Sequence, residues 1–414
     1  MQSPEVRAVY DLEIAVNRTI IGIKQKGLDP EHLVIDAPIS ADTAAEIHAR
    51  MNNGREVAGY NNTGFDTYLL EAILGGADPA YIHQVAQEII SHKGPAWKVA
   101  QAHGLQRSGF NELDLMNYTP RGRLKQYEGR MGLRIVDLPF DPHQPISDEK
   151  LPEVVAYLEQ DLLATEHLRE VVDGDVQARV VLEQMFDVQG LTKKTASNVA
   201  ASIIVKEYTA SNPDVELSDI KQAAARMRNC NFEFYVPDWV RRGIQGTIAE
   251  KIANQIDGTR FHIVDGVRQA PDRAWPDLIN LSEEDSLEAT FGLGGVHTKD
   301  ESCDYGGVSF DVASLYPHII MHPDCSPTHL DEEQFHAIYG QLIKRRLQAK
   351  RAGDKATSDA LKLVLNSCFG AYNFAFSPLF SPDAFLSITV SGQLCLLALA
   401  QAVGPQSPKG PLHV

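Results

Sequence analysis

Residues 8–23, AVYDLEIAVNRTIIGI, alternate apolar and polar positions or break into short β-branched runs, the period-2 signature of one or two strands. The stretch 34–52, VIDAPISADTAAEIHARMN, predicts a third strand and then a helix whose capping residue is Ser40 or Asp42. Residues 56–74, EVAGYNNTGFDTYLLEAIL, read as strand, Gly/Asn loop and helix, and helical spacing returns over 80–92 and 149–170. This alternation predicts an α/β domain with a central sheet, ending near residue 170.

From 171 to 290 the pattern reads as mostly helical, most clearly in VQARVVLEQMFDVQGLTKKTASNVAASIIVKEYTA. The Gly-rich FGLGGVHTKDESCDYGG, starting at Phe291, is expected to be a boundary. After it come an opening strand that ends at Asp311 and helices over 331–352, 355–369 and about 386–402. The tail GPQSPKGPLHV predicts no packed element.

Composition changes this picture little: 414 residues, 43% hydrophobic and 22% charged, are ordinary for a globular chain of two or three domains. The 5 cysteines are scattered without a C-x-x-C, so neither a disulfide framework nor a zinc ribbon is expected, and a reducing, cytoplasmic setting is. The first ten residues lack the charged and apolar regions of a signal peptide, and LCLLALAQAV is about half a spanning length, so no membrane is expected. A net charge of −17 argues against a broadly basic nucleic-acid surface. One local track, QLIKRRLQAKRAGDK at 341–355, runs the other way, and its plainest reading is a solvated helix face.

The candidate chemistry begins with carboxylates. Asp11 and Glu13 are two apart in a strand and so share a face. Asp66 follows Phe65 at a loop-to-helix junction, and Tyr157 and Asp161 share one face of a helix. Four acids delivered this way suit two divalent ions, one activating a water and the other stabilising the leaving oxygen of a phosphodiester, with Tyr157 orienting the water.

The ordered series D-x-E, N-x3-F-D and Y-x3-D resembles the three motifs of the DEDD-type 3′→5′ proofreading exonuclease of family B DNA polymerases. The intervening RGRLKQYEGRMGLRIVDLPFDP is similar to phage members of that family. The resemblance implies a ribonuclease H-like mixed sheet with flanking helices. It makes Asp11, Glu13, Asp66 and Asp161 metal ligands, Tyr157 the water-orienting residue, and Asn61 or Asn62, with Phe65, contacts to the DNA end.

A second set follows the same family. DVASLYPHII resembles motif A, which implies metal binding by Asp311, backbone near the triphosphate at Ser314 and Leu315, and a steric gate at Tyr316. LKLVLNSCFGAY resembles motif B, with Lys362, Asn366, Ser367 and Gly370 in register and Phe369 where the family has Tyr. Arg346 and Lys350 match the family's R-x3-K and would clamp a triphosphate. GLGGVH at 292–297 resembles the phage-type connector. No D-x-D follows Asp311, so motif C is expected to be missing along with the thumb.

The resemblance therefore implies an exonuclease domain at 1–170, a mostly helical connecting region at 171–290, and a partial α+β palm with helical fingers at 291–414. Expected partners are a DNA primer-template and dNTP. Expected cofactors are two Mg2+ per site, or Mn2+, and the expected location is a host cytoplasm if the chain is phage-encoded. Exonuclease activity is expected to survive and polymerisation to fail. The alternatives are one half of a split polymerase, completed by a second polypeptide carrying motif C and thumb, or a non-catalytic DNA-binding remnant.

Overall fold

The computed structural model describes residues 8–51, 56–120, 122–276, 278–280, 288–298 and 311–403. The chain divides into two compact units, Met1–Glu183 with Gln189–Thr195, and Gln184–Val188 with Ala196–Val414.

In the first unit, β1 (Ala8–Ile14), β2 (Thr19–Gln25) and β3 (Glu31–Ile35) form an antiparallel meander. On the other side of β1, β4 (Val57–Gly59) and then β5 (Glu112–Asp114) add in parallel. The five-stranded order is β3-β2-β1-β4-β5, the mixed sheet with flanking helices that the resemblance implies. Ser40 resolves the capping alternatives, because its Oγ accepts from the Thr43 N–H at 3.1 Å at the start of α1 (Ala41–Met51).

Strand periodicity places the chemistry. Ala8, Tyr10, Leu12 and Ile14 of β1 enter a core with α1, α2 (Asp66–Leu74), α3 (Pro79–Ser91) and α4 (Ala96–Ala102). Val9 points the other way, into a core with α5 (Leu124–Arg130) and α6 (Leu151–Val171). Asp11 and Glu13 have the parity of Val9, so they face α6. Gly22 pairs with Asp11 across β1 and β2. A Cβ on Gly22 would lie 2.8 Å from Leu158 Cγ and 2.8 Å from Leu162 Cδ1. Its absence lets α6 sit down on the sheet beside Asp11. Leu158 and Leu162 are fully buried there, each contributing about 1.5–3 kcal/mol.

The second unit begins with the end of α7 (Asp173–Phe186), then α8 (Ala196–Ser211) and α9 (Leu217–Arg226). The expectation of a mostly helical 171–290 needs correction over its second half. There β6 (Cys230–Phe234), β7 (Thr259–Val264) and β8 (Val267–Arg268) form an antiparallel sheet around α10 (Asp238–Gly243) and α11 (Ile248–Ile256) in sequence. A second sheet has β10 (Glu288–Phe291) between β9 (Leu278–Asn280) and β11 (Val296–Thr298). Residues 292–295, at the start of the Gly-rich stretch, form the turn between β10 and β11, and the stretch beyond Thr298 lies outside the described residues.

The remaining helices are α12 (Leu315–Ile320), α13 (Glu332–Ala352), α14 (Lys355–Tyr372) and α15 (Pro382–Val403). α14 packs on both α13 and α8. A Cβ on Gly370 would stand 2.5 Å from Ser197 Oγ, so this glycine permits the close approach of α14 and α8. The strand expected just before Asp311 and the Pro-rich tail lie outside the described residues. α15 is longer than the half-length apolar run expected there: it has 22 residues, and an 18-residue window of it has a mean hydropathy of 1.7, long and apolar enough to cross a bilayer. Leu386, Val390, Leu394 and Leu397 pack instead against Val240, Ile252 and Phe291, as a core helix does.

Candidate active site

The α6-facing side of β1 holds the acids. Asp11, Glu13 and Asp161 each offer a carboxylate oxygen within 4.8 Å of the others. Tyr157 and Asp161 share one face of α6. Their helix is seated by the Gly22 contact. Burial pushes the Asp11 carboxyl up to about 7, and the Asp161 charge adds to the effect. Glu13 is raised well above the usual carboxylate range by burial, then by Asp11, Asp161 and Asp66. Asp161 is also raised by burial, opposed by a hydrogen bond from Lys125. Three like charges out of water in one place are a cost that a cation between them relieves.

Asp66, the first residue of α2, is buried and stands just outside the group of three. Burial and then the charge of Asp11 hold its carboxyl well above the normal range. The four expected ligands thus come to one region, three in mutual reach and the fourth beside them. Tyr157 is buried, its hydroxyl reaches Asp161, and burial raises its pKa.

The two asparagines part company. Asn61 is exposed, in the left-handed region at φ 60, with its N–H donating to Asp114 Oδ1 at 2.9 Å. Asn62 is fully buried and its Nδ2 donates to Glu112 Oε1 at 3.4 Å. Phe65 is half-buried against the first core.

Sequence reasoning missed four charged residues here. Glu112 accepts from the hydroxyls of Tyr10 and Thr67, next to Asp11 and Asp66 in the chain, and so ties β1 and α2 to β5. Asp114 accepts from Asn61 and, at 2.6 Å, from Thr63 Oγ1. Two acids two apart in a strand, the signal that exposed Asp11 and Glu13, would have found this pair as well. Lys125 donates to Asp161 and Glu128, and α5 brings both Lys125 and Glu128 to the cluster. A 7-residue helix with no repeated pattern gave no comparable signal.

The donor set is all oxygen and all carboxylate, which suits hard divalent cations such as Mg2+ or Mn2+ and not soft metals. The fully buried Glu128 keeps one oxygen, Oε2, without a hydrogen-bond partner. That uncommitted acceptor also fits a region built to hold positive charge.

In the second unit the motif A and B residues meet. Ser314 is in the left-handed region at φ 55, with Arg346 Nη1 donating to its Oγ at 3.1 Å and His318 Nδ1 donating to its carbonyl oxygen at 2.8 Å. The half-buried Tyr316 ring lies against Phe369, centroids 4.5 Å apart. Leu315, the first residue of α12, is half-buried. Lys350, Lys362 and Asn366 are exposed. Arg345 is exposed, as expected of a solvated face, and its guanidinium lies 5.0 Å from the centre of the Phe186 ring.

Asp311 is exposed and, among the described residues, belongs to no group of three close acids. Most of the later aspartates have local uses. Asp331 and Asp354 cap α13 and α14, Asp359 pairs with Lys355, and Asp383 accepts from Ser381 Oγ at 2.7 Å.

No family model matches the chain, and no curated protein matches it. Among solved structures, it is similar to the family B DNA polymerase from the hyperthermophilic archaeon Pyrobaculum calidifontis. That match has 14% identity and a TM-score of 0.48, and covers 97% of this chain and 50% of that one. The chain spans about half the length of that polymerase.

Proposed function

We propose that the first unit is a ribonuclease H-like, divalent-metal-dependent 3′→5′ exonuclease acting on DNA, of the DEDD type found in family B DNA polymerases, including those of phages. The observation that carries this reading is the convergence of Asp11 and Glu13 from β1 with Asp161 from α6, one oxygen of each within 4.8 Å of the others. The order of the exonuclease motifs in the sequence supports it.

A divalent ion held by these acids, with Asp66 beside them, supplies Lewis-acid activation of water and neutralises charge on the phosphodiester. The protein's own groups do the rest. Burial under α6 excludes bulk water from the carboxylates, and the Tyr157 hydroxyl orients the attacking water. Asn62, fixed by Glu112, with Asn61 and Phe65 at the lip of α2, positions the 3′ end.

The second unit is proposed as the motif A and motif B part of a palm with helical fingers, preceded by a connecting region. In it Tyr316 packs beneath the incoming sugar, Ser314 and Leu315 lie near the triphosphate, and Arg346, Lys350, Lys362 and Asn366 contact its phosphates. Nucleotide addition needs a second carboxylate opposite Asp311. Among the described residues Asp311 belongs to no group of three close acids, so this reading assigns nucleotide removal, and not addition, to the described residues.

A 5′-labelled primer-template with Mg2+, run with and without all four dNTPs, tests this. Shortening in both reactions is expected. Lengthening with dNTPs would refute the claim about Asp311, and an unchanged primer would refute the exonuclease.

A further inference from the structure

Two charged residues of α5, Lys125 and Glu128, take no part in the hydrolysis just described, yet they stand against its acids. The Lys125 ammonium donates to Asp161, lies 3.3 Å from Glu128 Oε1 and sits 4.2 Å from the centre of the Tyr157 ring. It therefore touches the same carboxylate that a divalent ion would need. Glu128 is 0% exposed, and its Oε2 has no hydrogen-bond partner among the described residues. Burial raises its proton affinity, Lys125 opposes this and the adjoining Asp161 carboxyl adds to it, and two buried carboxylates side by side are expensive unless a cation shares them. The Lys125 side chain is 26% exposed, which leaves its stem room to move.

We propose that Lys125 is a resident counter-cation of the acid cluster, exchanged for the divalent ion and parked on Glu128 when that ion binds. This rests on the metal-centre reading above. Without an ion, the ammonium neutralises Asp161 and keeps the buried acids from repelling one another. An ammonium and a divalent ion on one carboxylate repel, so loading Asp161 drives Lys125 off it. Glu128, one helical turn along α5, retains the lysine through Oε1 and offers Oε2 as well, and the Tyr157 ring face stabilises the cation during the exchange. Lys125 thus competes with the metal, and Glu128 weakens that competition.

The two residues should therefore have opposite effects on metal affinity. Mn2+ binding to the full chain, read from the electron paramagnetic resonance of the free ion, is compared for the wild type, Lys125→Met, Glu128→Gln and the double variant. Lys125→Met is expected to bind Mn2+ about tenfold more tightly, the factor corresponding to about 1.4 kcal/mol. Glu128→Gln is expected to bind more weakly, and this weakening should shrink in the Lys125→Met background.

Unchanged or weaker binding by Lys125→Met overturns the proposal. So does an equal Glu128→Gln effect in both backgrounds, which would make Glu128 a plain ligand. A second measurement keeps the test independent of variant folding. In the wild-type chain with 13C-dimethylated lysines, the Lys125 signal, assigned by Lys125→Arg, should shift on adding Mg2+, and a signal that does not move overturns the exchange. If none of the four forms binds Mn2+, the metal-centre reading falls too. Binding that Asp11→Ala with Glu13→Ala removes but Lys125→Met leaves alone overturns only the exchange.

Discussion

In the first unit, carboxylates from β1 and α6 converge under a helix and raise one another's proton affinity. In the second, Asp311 stands in water near the chain segment that presents Ser314 to Arg346, while Lys350 and Lys362 project into solvent. The two arrangements differ in what they cost. Burying like charges lowers stability, and a fold keeps such a cluster only where something is gained from it. Exposed charges cost almost nothing, so their presence says much less. The acid cluster therefore carries functional weight by its energetics, while the second region rests on its motifs and on the Tyr316–Phe369 and Ser314–Arg346 contacts.

The largest expected effect separates the two regions directly. Asp11→Ala with Glu13→Ala should reduce 3′ degradation of labelled DNA by about a thousandfold or more, and Asp311→Ala should leave the rate unchanged. Equal losses from both would erase the distinction.

A smaller effect is expected at Gly22. Gly22→Ala should push α6 off the sheet at Leu158 and Leu162, costing about 1–3 kcal/mol in denaturant unfolding. By moving Asp161 and Tyr157 it should slow degradation by about a hundredfold. A variant that lost stability but not rate would show that α6 does not need this seat.

The pH dependence of stability sharpens the comparison further. Because the folded Asp11 carboxyl is raised from 3.8 to about 7, the native state holds its proton more tightly than the unfolded chain. The metal-free protein should thus lose stability as pH rises from about 4 to about 7, and remain lower above that. Asp11→Asn should flatten that loss and raise the melting temperature at pH 8, by roughly 2–4 °C for each kcal/mol recovered. Asp311→Asn should change neither. The smallest effect belongs to the exposed cations: Lys362→Ala should weaken binding of Mg2+-dNTP by about threefold, as suits a solvent-screened charge, measured by fluorescence titration.

Much of this was legible in the sequence. β1, β2 and β4 announced themselves as short apolar, β-branched runs, because both of their faces are buried, and the long helices by their helical spacing. Asp11, Glu13 and Asp161 were legible because strand and helix parity put them on facing surfaces, and Asp66 because it opens a helix directly after Phe65. β6 and β7 were missed although Thr259, Phe261 and Ile263 alternate cleanly with exposed neighbours, since short runs directly after helices are easily absorbed into them. Lys125 and Glu128 were illegible for a different reason. Their meaning lies in Asp161, which no local pattern connects to them, and α5 is too short to show a face of its own.

Asp11 and Asp161 come from the first strand and the sixth helix, so almost the whole first unit separates them in sequence. Contacts of such long range are slow to form, because the intervening chain must be ordered before the ends can meet. An emerging or refolding chain would carry β1 and its two acids for some time without α6. During that interval the acids are solvated, mutually screened and unable to grip an ion together. Joint ion binding by the cluster would appear only as α6 docks onto Gly22, which makes the assembled site a late product of folding.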